Sequence, residues 1–163
     1  MIRSCRIPPI LNRICDDIVH SALLVTADGE LLGASTKRSS SSLFPPISAS
    51  PPEGNNASIS PASSAGAIEN LGTLIADIAV DYQRLGEEYV GIDGSQPRNG
   101  KSQLQCLLME LELGLVAVSS CGSFDCLVIA IASPTAPLGI VKAKTQTLAH
   151  YVQEALSPLA ENT

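Results

Sequence analysis

The stretch from Leu104 to Leu156 constrains the fold more than any other part of this chain. Three apolar runs, LQCLLMELELG, LVAVSSCG and FDCLVIAIA, follow one another with almost no spacer and lead through Pro137-Leu138-Gly139 into a segment beginning IVKAKTQTLAHYVQEAL. Runs of this length with short Gly-containing connections and no polar side predict an antiparallel meander covered on both faces. The segment after them has the spacing of an amphipathic helix. A small domain of this kind with no visible catalytic set is usually built to bind.

With 163 residues, 45% of them hydrophobic, and a mean hydropathy of +0.23, the chain can bury a substantial core and reads as one domain spanning 1–163. Aromatic residues make up 3% and Trp is absent, so the core is aliphatic and there are few rings on which bases could stack. A formal charge of -6, a pI near 4.8 and only ten scattered Lys and Arg argue against nucleic acid as a partner. Five cysteines, Cys5, Cys15, Cys106, Cys121 and Cys126, cannot all pair, and three lie in or beside apolar strands, where Cys behaves as a small hydrophobe; this points to a reducing, cytoplasmic compartment. No run reaches the roughly 18 apolar residues of a spanning helix, and Ile2 stands where myristoylation needs Gly. Any membrane location is therefore expected to be indirect, through a partner.

Upstream, Pro8 and Pro9 can open a short helix with Ile10, Leu11, Ile14 and Ile18 on one side, its C-terminal end opposed by Asp16 and Asp17. In SALLVTA-DG-ELLGAST the Asp28-Gly29 pair predicts a hairpin with a two-residue type I′ turn. From about Lys37 to Ala62 the composition turns to Ser, Pro, Asn and Gly, which reads as a disordered loop insertion within the one domain. A long helix is predicted from about Ser63 to Leu85, stopped by Gly86. Its sheet-facing stripe is read as Ile68, Leu71, Ile75, Ile78, Tyr82 and Leu85. Gly72, Ala76 and Ala79 make a neighbouring small-residue stripe that a second helix could approach closely, although Gly and Ala are common in helices and need no partner. Asp77 and Asp81 fall on the polar side.

Chemistry is sought and mostly not found, so the chain is expected to be no enzyme, with no cofactor and no metal. Gly94 to Ser102 imitates a phosphate-binding loop but has five residues between its glycines where the motif has four, and the following LQCLLMELEL is assigned to a strand where the motif needs a helix. Leu104, Leu107, Leu108 and Leu111 also fit a helical period. The two histidines, His20 and His150, are far apart, no Cys-x-x-Cys occurs, and no Gly-x-Ser-x-Gly elbow is present.

The order helix, hairpin, long helix, three-strand meander, helix resembles the roadblock/dynein light chain family. The residues carrying the likeness are Ala22 to Ser35, Leu107-Leu108-Met109, Val116-Ala117-Val118 and above all Lys142 to Leu148 with Tyr151. Within that family the chain is most similar to the roadblock subunits of the Ragulator complex. The resemblance implies an α+β fold: a five-stranded antiparallel sheet with the long helix on one face and two shorter helices on the other. It further implies dimerisation, with long helices antiparallel and third strands joined, the third strand here being read as Ser102 to Leu113. The interface so implied comprises Gly72, Ala76, Ala79 and Gln83 on the helix and Gln105, Leu107 and Met109 on the strand. The implied partners are a sister roadblock subunit, the other Ragulator subunits and, through the complex, Rag GTPases. The implied setting is mTOR and MAPK signalling on the cytosolic face of late endosomes and lysosomes. A dynein-associated light chain is the alternative within the same fold.

Overall fold

The computed structural model describes residues 7–37, 62–93, 104–112, 114–122 and 125–160. The Ser/Pro-rich insertion and the loop resembling a phosphate-binding motif lie outside them. In chain order the elements are α1 (Ile7–Leu11), β1 (Val19–Thr26), β2 (Leu31–Thr36), α2 (Ala62–Asp93), β3 (Leu107–Leu111), β4 (Gly114–Ser120), β5 (Cys126–Ala132) and α3 (Leu138–Ala160). The strands form one antiparallel five-stranded sheet in the order β2-β1-β5-β4-β3. The meander predicted from the three apolar runs is therefore present, with β1 inserted beside β5 and β3 left at the edge. Because successive side chains on a strand point to opposite faces, the unbroken apolar runs of β1, β4 and β5 feed two cores.

On one face Val19, Ala22, Leu24, Leu115, Ala117, Val128 and Ala130 meet α1 and α3. Helix α3 turns Val141, Leu148, Ala149, Val152 and Leu156 inward, together with Thr145, whose buried hydroxyl donates to the Val141 carbonyl at 2.8 Å. Helix α1 is shorter than its sequence suggested, ending at Leu11, with Ile18 left on the approach to β1. Asp16 and Asp17 consequently lie beyond the helix and do not oppose its dipole. The Asp16 carboxylate accepts from the Ile18 and Val19 N–H groups, each at 2.9 Å, and pairs with Lys144 of α3. The Lys144 ammonium, followed by the Val19 N–H, holds the Asp16 carboxyl down at about 2. Asp17 pairs with Lys37 at 2.7 Å, and the Arg13 guanidinium lies 4.6 Å from the centre of the Tyr151 ring. The Lys142 to Leu148 string is thus where the last helix fastens the first.

On the other face Leu23, Val25, Val116, Val118, Leu127 and Ile129 meet α2. The β1–β2 hairpin forms where Asp28-Gly29 predicted it, but its turn is longer than a two-residue type I′ turn. The Gly29 N–H donates to the Thr26 carbonyl at 3.0 Å, the Thr26 N–H donates to the Glu30 carbonyl at 2.9 Å, and the register slips between Leu24 and Val25. Gly29 takes φ +84°, and an added Cβ there would stand 2.8 Å from the Thr73 methyl of α2, so backbone and packing both call for glycine. The Thr73 hydroxyl donates to the Gly29 carbonyl at 3.0 Å, locking α2 onto this turn.

Helix α2 continues through Gly86 to Asp93, eight residues past its expected end at Leu85. A glycine inside a helix costs about 1 kcal/mol against Ala and does not by itself stop one. Its orientation also differs from expectation. Ala76 and Ala79 are 0% and 1% exposed, and a Cβ at Gly72 would lie 3.2 Å from Val25 Cγ1, so the small-residue stripe faces the protein's own sheet together with Ile75. Of the stripe read as sheet-facing, Ile75 is buried and Ile68 and Leu71 pack against this core, whereas Tyr82 and Leu85 are 53% and 59% exposed. Small residues let the helix sit close to the pleated surface, and that contact wins over the wider but bulkier stripe beside it.

Ala76→Glu should therefore act as a folding defect, placing an unpaired carboxylate in a dry core at a cost of about 3 kcal/mol or more. Chemical denaturation should show a large fall in midpoint, while Asp77→Ala on the exposed side stays within about 0.5 kcal/mol of the parent. Asp16, whose folded-state value is depressed, contributes stability that is complete above the ordinary carboxylate value of 3.8 and is lost as pH falls towards about 2. Asp16→Ala should lower stability at neutral pH by about 1 kcal/mol and flatten the acid limb of the stability profile, as measured by thermal melts across that window.

Candidate dimer interface

Once the small stripe is spent on the sheet, another face of α2 is left uncovered. Leu74, Tyr82, Leu85 and Tyr89 are 58%, 53%, 59% and 76% exposed, and Ile78 between them is half-buried. At 100° per residue these five side chains share a sector about 80° wide, centred roughly 100° around the helix from the sheet contact. The stripe therefore looks sideways along the sheet surface. Four large apolar residues exposed on one continuous helical line are an interaction surface rather than ordinary surface scatter.

The course of α2 explains what lies beside it. The helix is tied to the β1–β2 turn at Thr73, and Val80, Gln83, Arg84 and Glu87 overlook the β4–β5 turn around Ser120 and Asp125. It thus crosses the strands, resting on β1, β2 and β5. Beyond the β4–β5 turn every residue from Arg84 to Tyr89 is exposed. On the same face of the sheet Leu104, Leu107, Met109 and Ile131 are only partly buried.

The edge itself is open. Among the described residues β3 pairs with β4 alone, from Leu107 opposite Val118 to Leu111 opposite Gly114, so one row of its backbone N–H and C=O groups faces away from the described sheet. The strand is shorter than the Ser102 to Leu113 read from sequence. Residues 104–106 stay beside β4 through mixed contacts: the Ser119 and Ser120 hydroxyls donate to the Gln105 and Leu104 carbonyls at 2.7 and 2.8 Å, and the Ser120 N–H donates to the Leu104 carbonyl at 3.3 Å.

Of the residues assigned to an interface from sequence, Leu107 and Met109 lie beside the open edge, half-buried on the α2 face, and Gln105 is exposed just before the strand. Gly72, Ala76 and Ala79 are inside the protomer. Gln83 lines a solvent-open cleft of about 280 Å³ between α2 and the β4–β5 turn, away from the apolar stripe. The sequence reading missed the exposed line of Leu74, Ile78, Leu85 and Tyr89 as a candidate surface, although their i, i+4, i+11, i+15 spacing was there to be read. The cleft brings Arg84 together with the carboxylates Glu87 and Asp125, and no group of three or more metal-ligating side chains occurs among the described residues.

This geometry matches solved structures closely enough to fix the fold. The gliding protein MglB of Thermus thermophilus superposes with a TM-score of 0.58 at 20% identity, covering 90% of this chain and 84% of that one. MglB of Myxococcus xanthus gives 0.63 at 13% identity, with 98% and 93% covered. A roadblock/LC7 domain from Streptomyces avermitilis gives 0.56 at 16% identity, with 93% and 98% covered. The fold is that of roadblock/LC7 domains. No protein-family model and no curated protein sequence matches the chain. Among its described residues, no helix of this roadblock fold is long and apolar enough to cross a membrane.

Replacing Leu74 and Leu85 together by Asp leaves the sheet contact of α2 untouched, so the variant should keep its circular dichroism and lose association. Each buried interfacial leucine is worth about 2 kcal/mol, so the dissociation constant should rise by two orders of magnitude or more. Light scattering after size exclusion measures this directly. A double variant that associates as well as the parent would remove the stripe from the interface.

Proposed function

We propose that the chain is a non-enzymatic adaptor of the roadblock family that works as one half of a dimer. Its partner in this reading is a sister roadblock chain. The pair serves a Ragulator-like complex on the cytosolic face of late endosomes and lysosomes, supporting recruitment of Rag GTPases in mTOR and MAPK signalling.

The observation that carries the reading is the exposed stripe of α2 beside the open edge of β3. A second roadblock sheet joined at that edge would place its own long helix against Leu74, Tyr82 and Leu85, and over Leu107 and Met109. The exposed stripe of each helix would then rest against the other chain, so that each chain completes the other's apolar face. The similar MglB fold has been solved in a tetrameric arrangement, which supports assembly as a habit of this architecture. The Lys142 to Leu148 string supports the Ragulator assignment through its resemblance. Membrane location in this reading comes from a lipid-anchored partner.

Affinity purification of a tagged copy, followed by mass spectrometry, tests the assignment. The expected outcome is a stoichiometric roadblock partner together with Ragulator subunits, and a lysosomal signal that disperses when the lipid-anchored subunit is depleted. Recovery of dynein intermediate chain in their place would move the protein to the motor-associated branch. Lysosomal signal that survives the depletion would count against the scaffold model.

A further inference from the structure

Cys121 and Cys126 face each other across the β4–β5 hairpin. The ladder pairs Ser120 with Leu127, so the next residues outward, Cys121 and Cys126, are directly opposed, and the Cys121 N–H donates to the Cys126 carbonyl at 3.0 Å. Directly opposed residues of an antiparallel pair project from the same face of the sheet, and both thiols belong to the core beneath α3. Opposed residues at a strand end held by one such bond have Cα atoms about 5.5 Å apart, within the Cα range of a disulfide, and Cβ atoms about 4.5–5.5 Å apart, so closure draws the two strand ends together by about 1 Å. Both cysteines are reduced in this structure.

The other thiols are placed less favourably. Leu107 pairs with Val118, which sets Cys106 opposite Ser119 and makes it a diagonal neighbour of Cys121, at about 7–8 Å and beyond ordinary disulfide reach. Cys15 lies on the α1 side, its thiol directed at the Leu11 and Ser35 carbonyls.

We propose that Cys121 and Cys126 are a redox modification site that closes into a cross-strand disulfide at the mouth of the β4–β5 hairpin. The oxidant is a small-molecule disulfide of the glutathione class. The half-buried Cys126 reacts first: its thiolate attacks one sulfur of the small disulfide, forming a mixed disulfide and expelling one small thiolate. Fully buried Cys121 then loses its proton and attacks the Cys126 sulfur, expelling the second small thiolate. Two protein thiols are oxidised, one external disulfide is reduced to two thiols, and two protons leave the protein. Burial pushes the Cys121 thiol up to about 12, and burial also raises Cys126, so the staple closes slowly and behaves as a latch rather than a fast sensor.

The test incubates the folded full chain with oxidised glutathione, quenches by alkylation and maps the cysteines by non-reducing peptide mass spectrometry. The expected product is a peptide pair joined through Cys121 and Cys126 that has lost two hydrogens, with a melting temperature about 5 °C above the reduced protein and reversal by dithiothreitol. Cys126→Ser should abolish both the link and the shift. Cys121→Ala should stop at a persistent glutathione adduct on Cys126, which checks the order of steps even where Cys121→Ala lowers basal stability. A Cys106–Cys121 link as the main product would overturn the proposal. So would a Cys121–Cys126 link that appears only in denaturant, or wild-type protein that accumulates the Cys126 adduct without resolving it.

Discussion

A sheet whose central strands are apolar on both sides needs two covers, and this chain has one cover and a part of another. Beneath β4 and β5 the inward face of α3 seals the first core, with α1 closing the corner over β2. Above, α2 reaches β1, β2 and β5 and leaves the apolar surface of β3 half-buried. That shortfall cannot be met by sliding α2 along the sheet, because Thr73 and Gly29 fix it at the hairpin turn. Among the described residues nothing else covers that surface, and the exposed stripe of α2 stands beside it.

The way α2 is seated decides which of its side chains are available for that purpose. A helix with Leu, Ile and Tyr on one arc and Gly and Ala on the next can turn either toward the sheet. Turning the bulky arc down would bury more area, but it would lift the helix away from Val25 and from the hairpin turn. Turning the small arc down brings the two backbones together and frees Leu74, Tyr82 and Leu85 to face sideways. One helix therefore carries two kinds of position: Ala76 belongs to the buried contact with the sheet and Leu74 to the exposed surface.

The sheet and its order of helices were legible from sequence because their signals are local or periodic. Three closely spaced apolar runs with Gly-containing connections read as buried strands, Asp28-Gly29 marks a hairpin, and Val141 to Leu156 repeats at helical spacing. What escaped was decided by contacts distant in the chain. The rotation of α2 depends on how closely Gly72 can approach Val25, and the turn length at Gly29 depends on Thr73. Asp16 reads as a poorly placed acid at a helix end until Lys144 is seen beside it. The exposed stripe was in plain view as a pattern. Two overlapping apolar arcs on one helix cannot be ranked until the sheet beneath them is known.

The ion pair between Asp16 and Lys144 joins residues 128 positions apart and fastens a five-residue helix to the last one. So short a helix has little stability of its own. During synthesis α1 can already rest on β1 and β2, its main contacts, but the tie through Asp16 waits until α3 has emerged and docked. Closing so long a loop is an entropic cost met late, so the α1 corner should be among the last parts of the domain to order and the first to open. For a newly made chain, that leaves an apolar corner loosely held, and within reach of chaperones, throughout translation, even while the hairpin at the centre of the sheet is already in place.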